Sequence, residues 1–170
     1  MALKSQYNYL FLDFETTWLD LNSDFPIQIA LIQTDHNLKV IKSYMRYISL
    51  PEWIKRLRSN VSYMTGIDIE IIESQWQSIE IIQWEIYEFF SSETVLIGQN
   101  ISFDIGFLKK FFPWHTFSHS IDIYPMAASS IPYLKSYSLE SIDHHLIEKY
   151  NTYNDQKSYL LSTLSEWKKL

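Results

Sequence analysis

An acidic and hydroxyl-bearing stretch, Asp13-Phe14-Glu15-Thr16-Thr17, directly follows the largely apolar run Tyr9-Leu10-Phe11-Leu12. The apolar run is typical of a buried β-strand, in which successive side chains alternate between faces, so Asp13 and Glu15 should share one face. Two carboxylates side by side at the end of such a strand repel each other and resist desolvation. A hard divalent cation between them would favour the pair. These residues alone leave two interpretations open: a magnesium or manganese site, or an acidic strand end exposed to water.

The length and composition indicate a globular protein with a substantial core. The chain has 170 residues, which predicts a single domain over 1–170, and 46% of them are hydrophobic. It contains no cysteine, so disulfides, thiolate zinc sites and thiol nucleophiles are excluded. The first residues lack a signal-peptide apolar region, and no run approaches the roughly 18 apolar residues of a membrane span. We therefore expect a cytoplasmic protein without a membrane partner.

The net charge of −6 limits how the chain could bind nucleic acid. A protein that coats a long duplex is usually basic, because phosphate neutralisation supplies most non-specific affinity. An acidic chain can still act on nucleic acid if metal ions meet the phosphate and few nucleotides are held.

The hydrophobic pattern predicts strands first, and then alternating helices and short strands. Strands at 7–15, 26–32 and 40–48, with Asp35-His36-Asn37 as a hairpin turn, predict an antiparallel meander. A short apolar run at 95–97 predicts a buried parallel strand, and 121–124 an edge strand. Helices are expected at 51–60, 77–90, 103–112, 138–150 and 155–169. This order implies an α/β fold with a mixed sheet flanked by helices.

Two further acids lie near the starts of expected helices. Asp104 falls in the first turn of the 103–112 helix, and Asp155 opens the last helix. The helix dipole alone favours an acid at such a position, so each has an ordinary structural explanation. Together with Asp13 and Glu15, they could enclose two divalent ions about 3.5–4 Å apart, which would activate a water and stabilise a leaving phosphodiester oxygen.

In their order and spacing these motifs resemble those of the DEDD, or DnaQ-like, 3′–5′ exonuclease family, which has an RNase H-like fold. The resemblance covers nearly the whole chain. It rests on segments 13–17 (DFETT), 26–30 (PIQIA), 64–67 (MTGI), 98–108 (GQNISFDIGFL), 121–123 (IDI) and 137–142 (YSLESI). Short acidic motifs are weak singly, but several in the family's order are a specific signal.

The resemblance implies a set of site residues. The metal ligands, for two divalent cations that are Mg²⁺ or Mn²⁺, would be Asp13, Glu15, Asp104 and Asp155. The pocket for the terminal nucleotide would be lined by Thr16, Thr17, Met64, Thr65 and Phe103. Thr hydroxyls can hold a 3′-hydroxyl, and apolar side chains offer a surface on which a base stacks. Structural roles remain open for Phe103 in the core and for Thr65 in its turn.

The general base is where the chain departs from the family pattern. One branch has a histidine five positions before the last aspartate and the other a tyrosine four positions before it, whereas this chain has Tyr150 and Asn151 there. A tyrosine, with an ordinary pKa of about 10, is a poor base at neutral pH but can orient a water. Three interpretations stay open: Tyr150 moves into place, His144 or His145 supplies the base, or the base is absent.

A second departure is Trp18, which stands where the family usually has glycine; it could form a lid beside the site or pack under the following loop. The sequence predicts a two-metal 3′–5′ exonuclease that acts on single-stranded or frayed DNA or RNA 3′ ends and releases nucleoside 5′-monophosphates. The alternative is a catalytically weak or inactive nucleic-acid-binding module on the same fold. Nothing in the sequence distinguishes DNA from RNA.

Overall fold

A computed structural model describes residues 8–150, except for the side chains at 143 and 147–150. These residues belong to two compact units, of which the first ends at Ile121 and the second begins at Asp122. The single domain expected over 1–170 stays a prediction. Within the described range, no helix is both long and apolar enough to cross a membrane.

One mixed sheet carries the fold. Its strands are β1 (Asn8–Thr16), β2 (Pro26–Thr34), β3 (Val40–Ile48), β4 (Trp76–Gln77), β5 (Thr94–Gly98) and β6 (His119–Asp122). Their order across the sheet is β4-β3-β2-β1-β5-β6. The first three strands form the predicted antiparallel meander, and β5 pairs with β1 in parallel. The predicted α/β fold with a mixed sheet is therefore confirmed.

The turn between β2 and β3 lies where the sequence predicts it. The Asp35 side chain accepts hydrogen bonds from the Asn37 and Lys39 amides at 2.8 and 3.0 Å. An aspartate that bonds the backbone two residues ahead is a common turn former, because it replaces a backbone partner.

The helices are short in the first unit. They are α1 (Ser59–Thr65), α2 (Ile69–Gln75), α3 (Ile79–Glu85) and α4 (Ile101–Phe111), with a 3-10 turn at Tyr87–Phe89. The second unit contains α5 (Ile123–Ser130) and α6 (Leu139–Tyr150). The helices expected at 103–112 and 138–150 are confirmed, whereas the one expected at 155–169 lies outside the described residues.

The prediction of a helix over 51–60 is wrong. Residues 51–58 are not helical: a turn at 52–53 is closed by the Ile54 amide, which donates to the Pro51 carbonyl at 2.9 Å, and α1 begins only at Ser59. The apolar spacing of Trp53, Ile54 and Leu57 suggested one helix face, but Trp53 is 74% exposed. A single short turn of helix without a buried face is not stable, because nucleation costs more than the few hydrogen bonds return.

The helix predicted over 77–90 is shorter than expected. It begins after Ser78, whose hydroxyl accepts from the Ile81 amide, and gives way to the 3-10 turn after Ile86. Its apolar face is nevertheless as predicted, with Ile82, Ile86 and Phe89 buried. Helix α2 was not predicted, since its seven residues bury only Ile72.

Helix α4 packs on the sheet through aromatic side chains. The Phe14 ring on β1 stacks on Phe112 with centroids 5.8 Å apart and contacts Phe107 at 6.4 Å. Both phenylalanines are fully buried. These core contacts therefore hold α4 against the end of β1.

The backbone at the end of β5 lies very close to β1. A Cβ added at Gly98, the last residue of β5, would lie 2.9 Å from the Leu12 carbonyl oxygen and 2.6 Å from Ile101 Cδ1. A Cβ added at Gly106 on α4 would meet only the flexible Leu21 side chain, at 3.0 Å. A backbone oxygen cannot move away as a flexible side chain can. Of these two glycines, only Gly98 is therefore sterically required.

We expect Gly98→Ala to lower the free energy of unfolding by about 1–3 kcal/mol, because β5 or β1 must shift to admit the methyl group. Gly106→Ala is the matched control; it should be nearly neutral, because alanine is favoured over glycine inside a helix. Urea unfolding followed by tryptophan fluorescence measures both. Equal losses in the two variants would contradict this account.

Candidate active site

The carboxylates of the first motif lie at the end of β1, where it runs past its parallel neighbour. The pairing of β1 with β5 stops at Phe11 and Ile97, and the register of β1 against β2 shifts between Glu15 and Thr16. Phe14 is buried in the core, while Asp13 and Glu15 on either side of it are half-buried. This is the alternation of a strand that presents both carboxylates on the face opposite the Phe14 ring.

Asp104 reaches the same strand end from α4. Its Oδ1 accepts a hydrogen bond from the Phe14 amide at 2.8 Å, and the side chain is only 3% exposed. Because β5 has already ended at this level, a side chain can take the position that a strand partner would otherwise fill. The helix that follows β5 thus returns a third carboxylate to the strand that carries the first two.

The other two acids act on the pKa of Asp104. Burial first, then the negative charge of Asp13 and a smaller effect of Glu15, raise the pKa of Asp104 to about 8. The hydrogen bond from Phe14 opposes this rise. Three carboxylates that repel one another in a partly desolvated site have the donor chemistry that a divalent cation requires, since its charge would offset the repulsion.

Part of the predicted ligand set is not described. Among residues 8–150, no group of three or more His, Asp or Glu side chains has the arrangement of a metal site. Asp155, the fourth predicted ligand, lies outside the described residues. The same holds for the side chain of Tyr150, whose backbone ends α6. On that helix His144 is exposed and His145 half-buried. The metal ligands and the general base therefore stay predictions.

Thr17 holds the loop that follows the carboxylates. Its hydroxyl donates to Asp24 Oδ1 at 2.9 Å and accepts from the Phe25 amide at 3.0 Å. Asp24 is 6% exposed and also accepts from the Asp20 amide at 2.9 Å. The sequence shows an acidic turn here, but no motif indicates that Asp24 is its buried member. The role of Thr17 toward a nucleotide stays a prediction.

Thr16 and Trp18 connect the same loop to the second apolar cluster of the first unit. Thr16 is buried, and its hydroxyl donates to the Trp18 carbonyl at 2.5 Å. Trp18 is half-buried against a cluster formed by Ile27, Val61, Ile67 and Ile72. The indole thus lies between the end of β1 and the segment that contains α1.

Lys110 also helps to position the site, and no sequence motif indicates it. Its Nζ donates to the carbonyl oxygens of Leu21 and Asn22 at 2.6 and 3.2 Å. The lysine therefore ties the loop after the first motif to α4, the same helix that carries Asp104. No short sequence pattern marks such a contact, because the partners are backbone atoms nearly ninety positions away.

Thr65 shapes its own turn. Its hydroxyl donates to the Val61 carbonyl at 2.9 Å and accepts from the Ile67 amide at 3.1 Å. Gly66 ends α1 with a φ of 71°, in the left-handed region that favours glycine. The structural role considered for Thr65 is confirmed by these bonds.

The two apolar side chains predicted for the nucleotide pocket differ in exposure. Met64 is 76% exposed at the end of α1. Phe103 is half-buried at the start of α4, with its ring centroid 5.0 Å from that of Phe107. Phe103 therefore belongs to the edge of the core, and Met64 offers open apolar surface; their contact with a base stays a prediction.

The pKa of Asp104 predicts how the metal-free protein responds to pH. In the folded state this pKa lies above its unfolded value, so the stabilising contribution is complete below about pH 4 and is lost as pH rises through about 8. In chelator, the free energy of unfolding should fall between pH 5 and 9 by an amount on the order of a few kcal/mol. Asp104→Asn should remove most of this fall, because an amide does not ionise.

Urea unfolding at several pH values measures the effect. Glu70→Gln, an exposed acid on α2, serves as the control and should keep the parent's pH dependence. An Asp104→Asn protein with the parent's pH dependence would show that the Asp104 carboxyl is not the titrating group.

Known proteins match this chain in sequence and in fold. The family model for RNase_T exonucleases matches residues 10–152. A PolC-type DNA polymerase III from Thermotoga maritima is 31% identical over a 138-residue alignment that covers 79% of this chain and 10% of that protein. Its counterpart from Latilactobacillus sakei is 25% identical over 93% of this chain and 11% of that protein.

Among solved structures, the zinc-bound form of an E. coli exonuclease I complex with single-stranded DNA matches with a TM-score of 0.72 at 22% identity. The match covers 95% of this chain and 40% of that one. The chain thus spans about a tenth of the length of the curated relatives it matches. The family match, the mixed sheet and the carboxylates at the end of β1 lead to one conclusion: this chain belongs to the RNase_T exonuclease family, of the DEDD type with an RNase H-like fold.

Proposed function

We propose that this protein is a 3′–5′ exonuclease that removes nucleotides from the 3′ ends of single-stranded or frayed nucleic acid and releases nucleoside 5′-monophosphates. The observation that carries the proposal is the meeting of Asp13, Glu15 and the buried Asp104 at the end of β1. Membership of the exonuclease family supports the reaction class.

Divalent cations, two Mg²⁺ or Mn²⁺ in this proposal, would be held by Asp13, Glu15, Asp104 and Asp155. The donor set consists of carboxylate oxygens, which suit these hard ions. When bound, such cations acidify an attacking water and neutralise charge on the leaving oxygen. The matched E. coli exonuclease I complex has a zinc-bound form, which supports a divalent cation at the corresponding site.

The chain's own contribution is to position these ligands before the substrate arrives. The hydrogen bond from the Phe14 amide fixes the Asp104 carboxylate against β1. The Phe14 ring, on the face of β1 opposite Asp13 and Glu15, stacks on Phe112. A ligand held by the core in this way needs little reorganisation, which is a condition for efficient electrostatic catalysis.

Single strands are the proposed substrate because the chain as a whole is acidic, whereas a protein that coats a long duplex is usually basic. Exposed Met64 and half-buried Phe103 would receive the terminal base, with Thr16, Thr17 and Thr65 at the pocket wall. Tyr150 is the proposed residue for orienting the attacking water, with His144 and His145 as the alternatives. The matched E. coli exonuclease I complex contains single-stranded DNA, which supports this substrate class.

We expect the parent protein to shorten a 5′-labelled single-stranded oligonucleotide from its 3′ end in the presence of Mg²⁺ or Mn²⁺. Asp13→Ala and Glu15→Ala should each lower the rate on the order of 100-fold or more, because transition-state charge loses its main stabilisation. A gel ladder and chromatography of the released nucleotides measure rate and product.

Glu70→Gln, which removes an equal charge far from the strand end in sequence, should keep the parent rate. Chelator should stop digestion by the parent protein and by Glu70→Gln. Binding of the oligonucleotide without release of monophosphates at any metal concentration would reject the proposal and favour the inactive binding module.

A further inference from the structure

The segment that connects β3 to α1 carries an unusual concentration of positive charge. Three of the chain's 14 Lys and Arg residues lie within four positions, at Lys55, Arg56 and Arg58, and all three are exposed. No acidic residue occurs from Trp53 to Gly66, so this stretch carries three positive charges in a chain whose net charge is −6. A local cationic patch on an acidic protein raises the concentration of anions beside it.

Large, exposed aromatic side chains flank these cations in sequence. Trp53 is 74% exposed and Tyr63 is 90% exposed. Trp53 is nevertheless held in place, because its ring packs edge-on against Phe25 with centroids 5.9 Å apart. Phe25 in turn packs against Phe111 of α4 at 5.8 Å. An exposed tryptophan that is anchored on one side is a preformed platform for a planar partner.

Arg58 is also preset. Its guanidinium carbon lies 5.4 Å from the centre of the Trp18 ring, a cation–π contact that orients the charge. Trp18 follows Glu15 by three residues, so their Cα atoms lie at most about 11 Å apart. Arg58, the last cation of the basic segment, therefore lies within a few nucleotides' reach of the carboxylates on β1.

The charges of this segment are available to a partner. The ion pairs between described side chains join Lys42 with Glu88 and Arg46 with Glu85. Lys55, Arg56 and Arg58 take no part in them. Exposed cations next to exposed aromatic rings are the combination that holds single-stranded nucleic acid, because phosphates pair with the cations and bases stack on the rings.

We infer that residues 53–63, together with Trp18, form an accessory surface that binds the single strand upstream of the 3′ end undergoing cleavage. The inference rests on the proposed function for the identity of that 3′ end. Lys55, Arg56 and Arg58 contact phosphates, while Trp53 and Tyr63 stack on bases. Such contacts do not read sequence, so the surface retains a strand of any composition. It also gives an acidic chain an affinity for phosphate that does not depend on the carboxylate site.

Binding in chelator tests the surface apart from catalysis. The triple variant Lys55→Gln, Arg56→Gln, Arg58→Gln is compared with Lys39→Gln, Lys109→Gln, Lys135→Gln, which removes the same charge from exposed lysines elsewhere. Fluorescence anisotropy with a labelled 15-nucleotide oligothymidylate gives the affinity at several salt concentrations. The first triple should bind at least tenfold more weakly at low salt. Its slope of log affinity against log salt should be shallower by about 2, since each single-strand phosphate contact contributes about 0.7.

Stacking is tested with a matched pair of exposed tryptophans. Trp53→Ala should weaken binding by at least about fivefold, whereas Trp84→Ala should not, although the two side chains are 74% and 75% exposed. Trp53→Phe should recover part of the affinity, because it keeps a ring on Phe25. Urea midpoints identify any variant that fails to fold. If Trp53→Ala does not fold, the affinity of the first triple variant tests the surface independently.

Digestion distinguishes the surface from the catalytic proposal. The fall in kcat/KM caused by the first triple should be at least tenfold larger for the 15-nucleotide strand than for a dinucleotide, because a dinucleotide spans only the cleaved bond and does not reach the surface. A parent protein that digests neither substrate rejects the proposed function, and the anisotropy series then still decides the surface. Equal affinities of the two triple variants, or equal falls on both substrate lengths, would overturn the inference.

Discussion

The hydrogen bond from the Phe14 amide to Asp104 is the contact on which the candidate site depends. Phe14 meets the α4 segment twice: its amide binds the Asp104 carboxylate, and its ring stacks on Phe112 just after the helix. The same residue therefore transmits the packing of the core to the geometry of the carboxylates. Gly98 permits this arrangement, because a side chain there would collide with the Leu12 carbonyl and separate β5 from β1.

The site is electrostatically costly to assemble. Asp104 is buried beside Asp13 and Glu15, and the direction of its pKa shift shows that the fold disfavours its ionised form without a compensating charge. The aromatic packing of α4 on β1 supplies the stability that keeps the three acids together. Carboxylates with a strongly perturbed pKa concentrate at functional sites, because selection for stability alone would not retain them.

Regular alternation and long apolar runs made much of the fold predictable. The facing of Asp13 and Glu15 follows from strand geometry, and the parallel pairing of β5 follows from an apolar run between helices. The irregular backbone at 51–58 was not predictable, because Trp53 fits a helical spacing but is anchored on Phe25, a contact distant in sequence. Burial of Asp24 likewise depends on hydrogen bonds from Thr17 and Asp20, which composition cannot indicate.

The central claim is that carboxylates from β1 and α4 act as one cation site, and a calorimetric titration with Mn²⁺ tests it most directly. At about pH 9, where Asp104 is largely ionised, we expect saturable binding to the parent protein. Asp104→Asn and Glu15→Gln should each weaken it at least tenfold, and Glu70→Gln should leave it unchanged. Mn²⁺ affinity that is the same in all four proteins would contradict the account, because the carboxylates would then not share a cation.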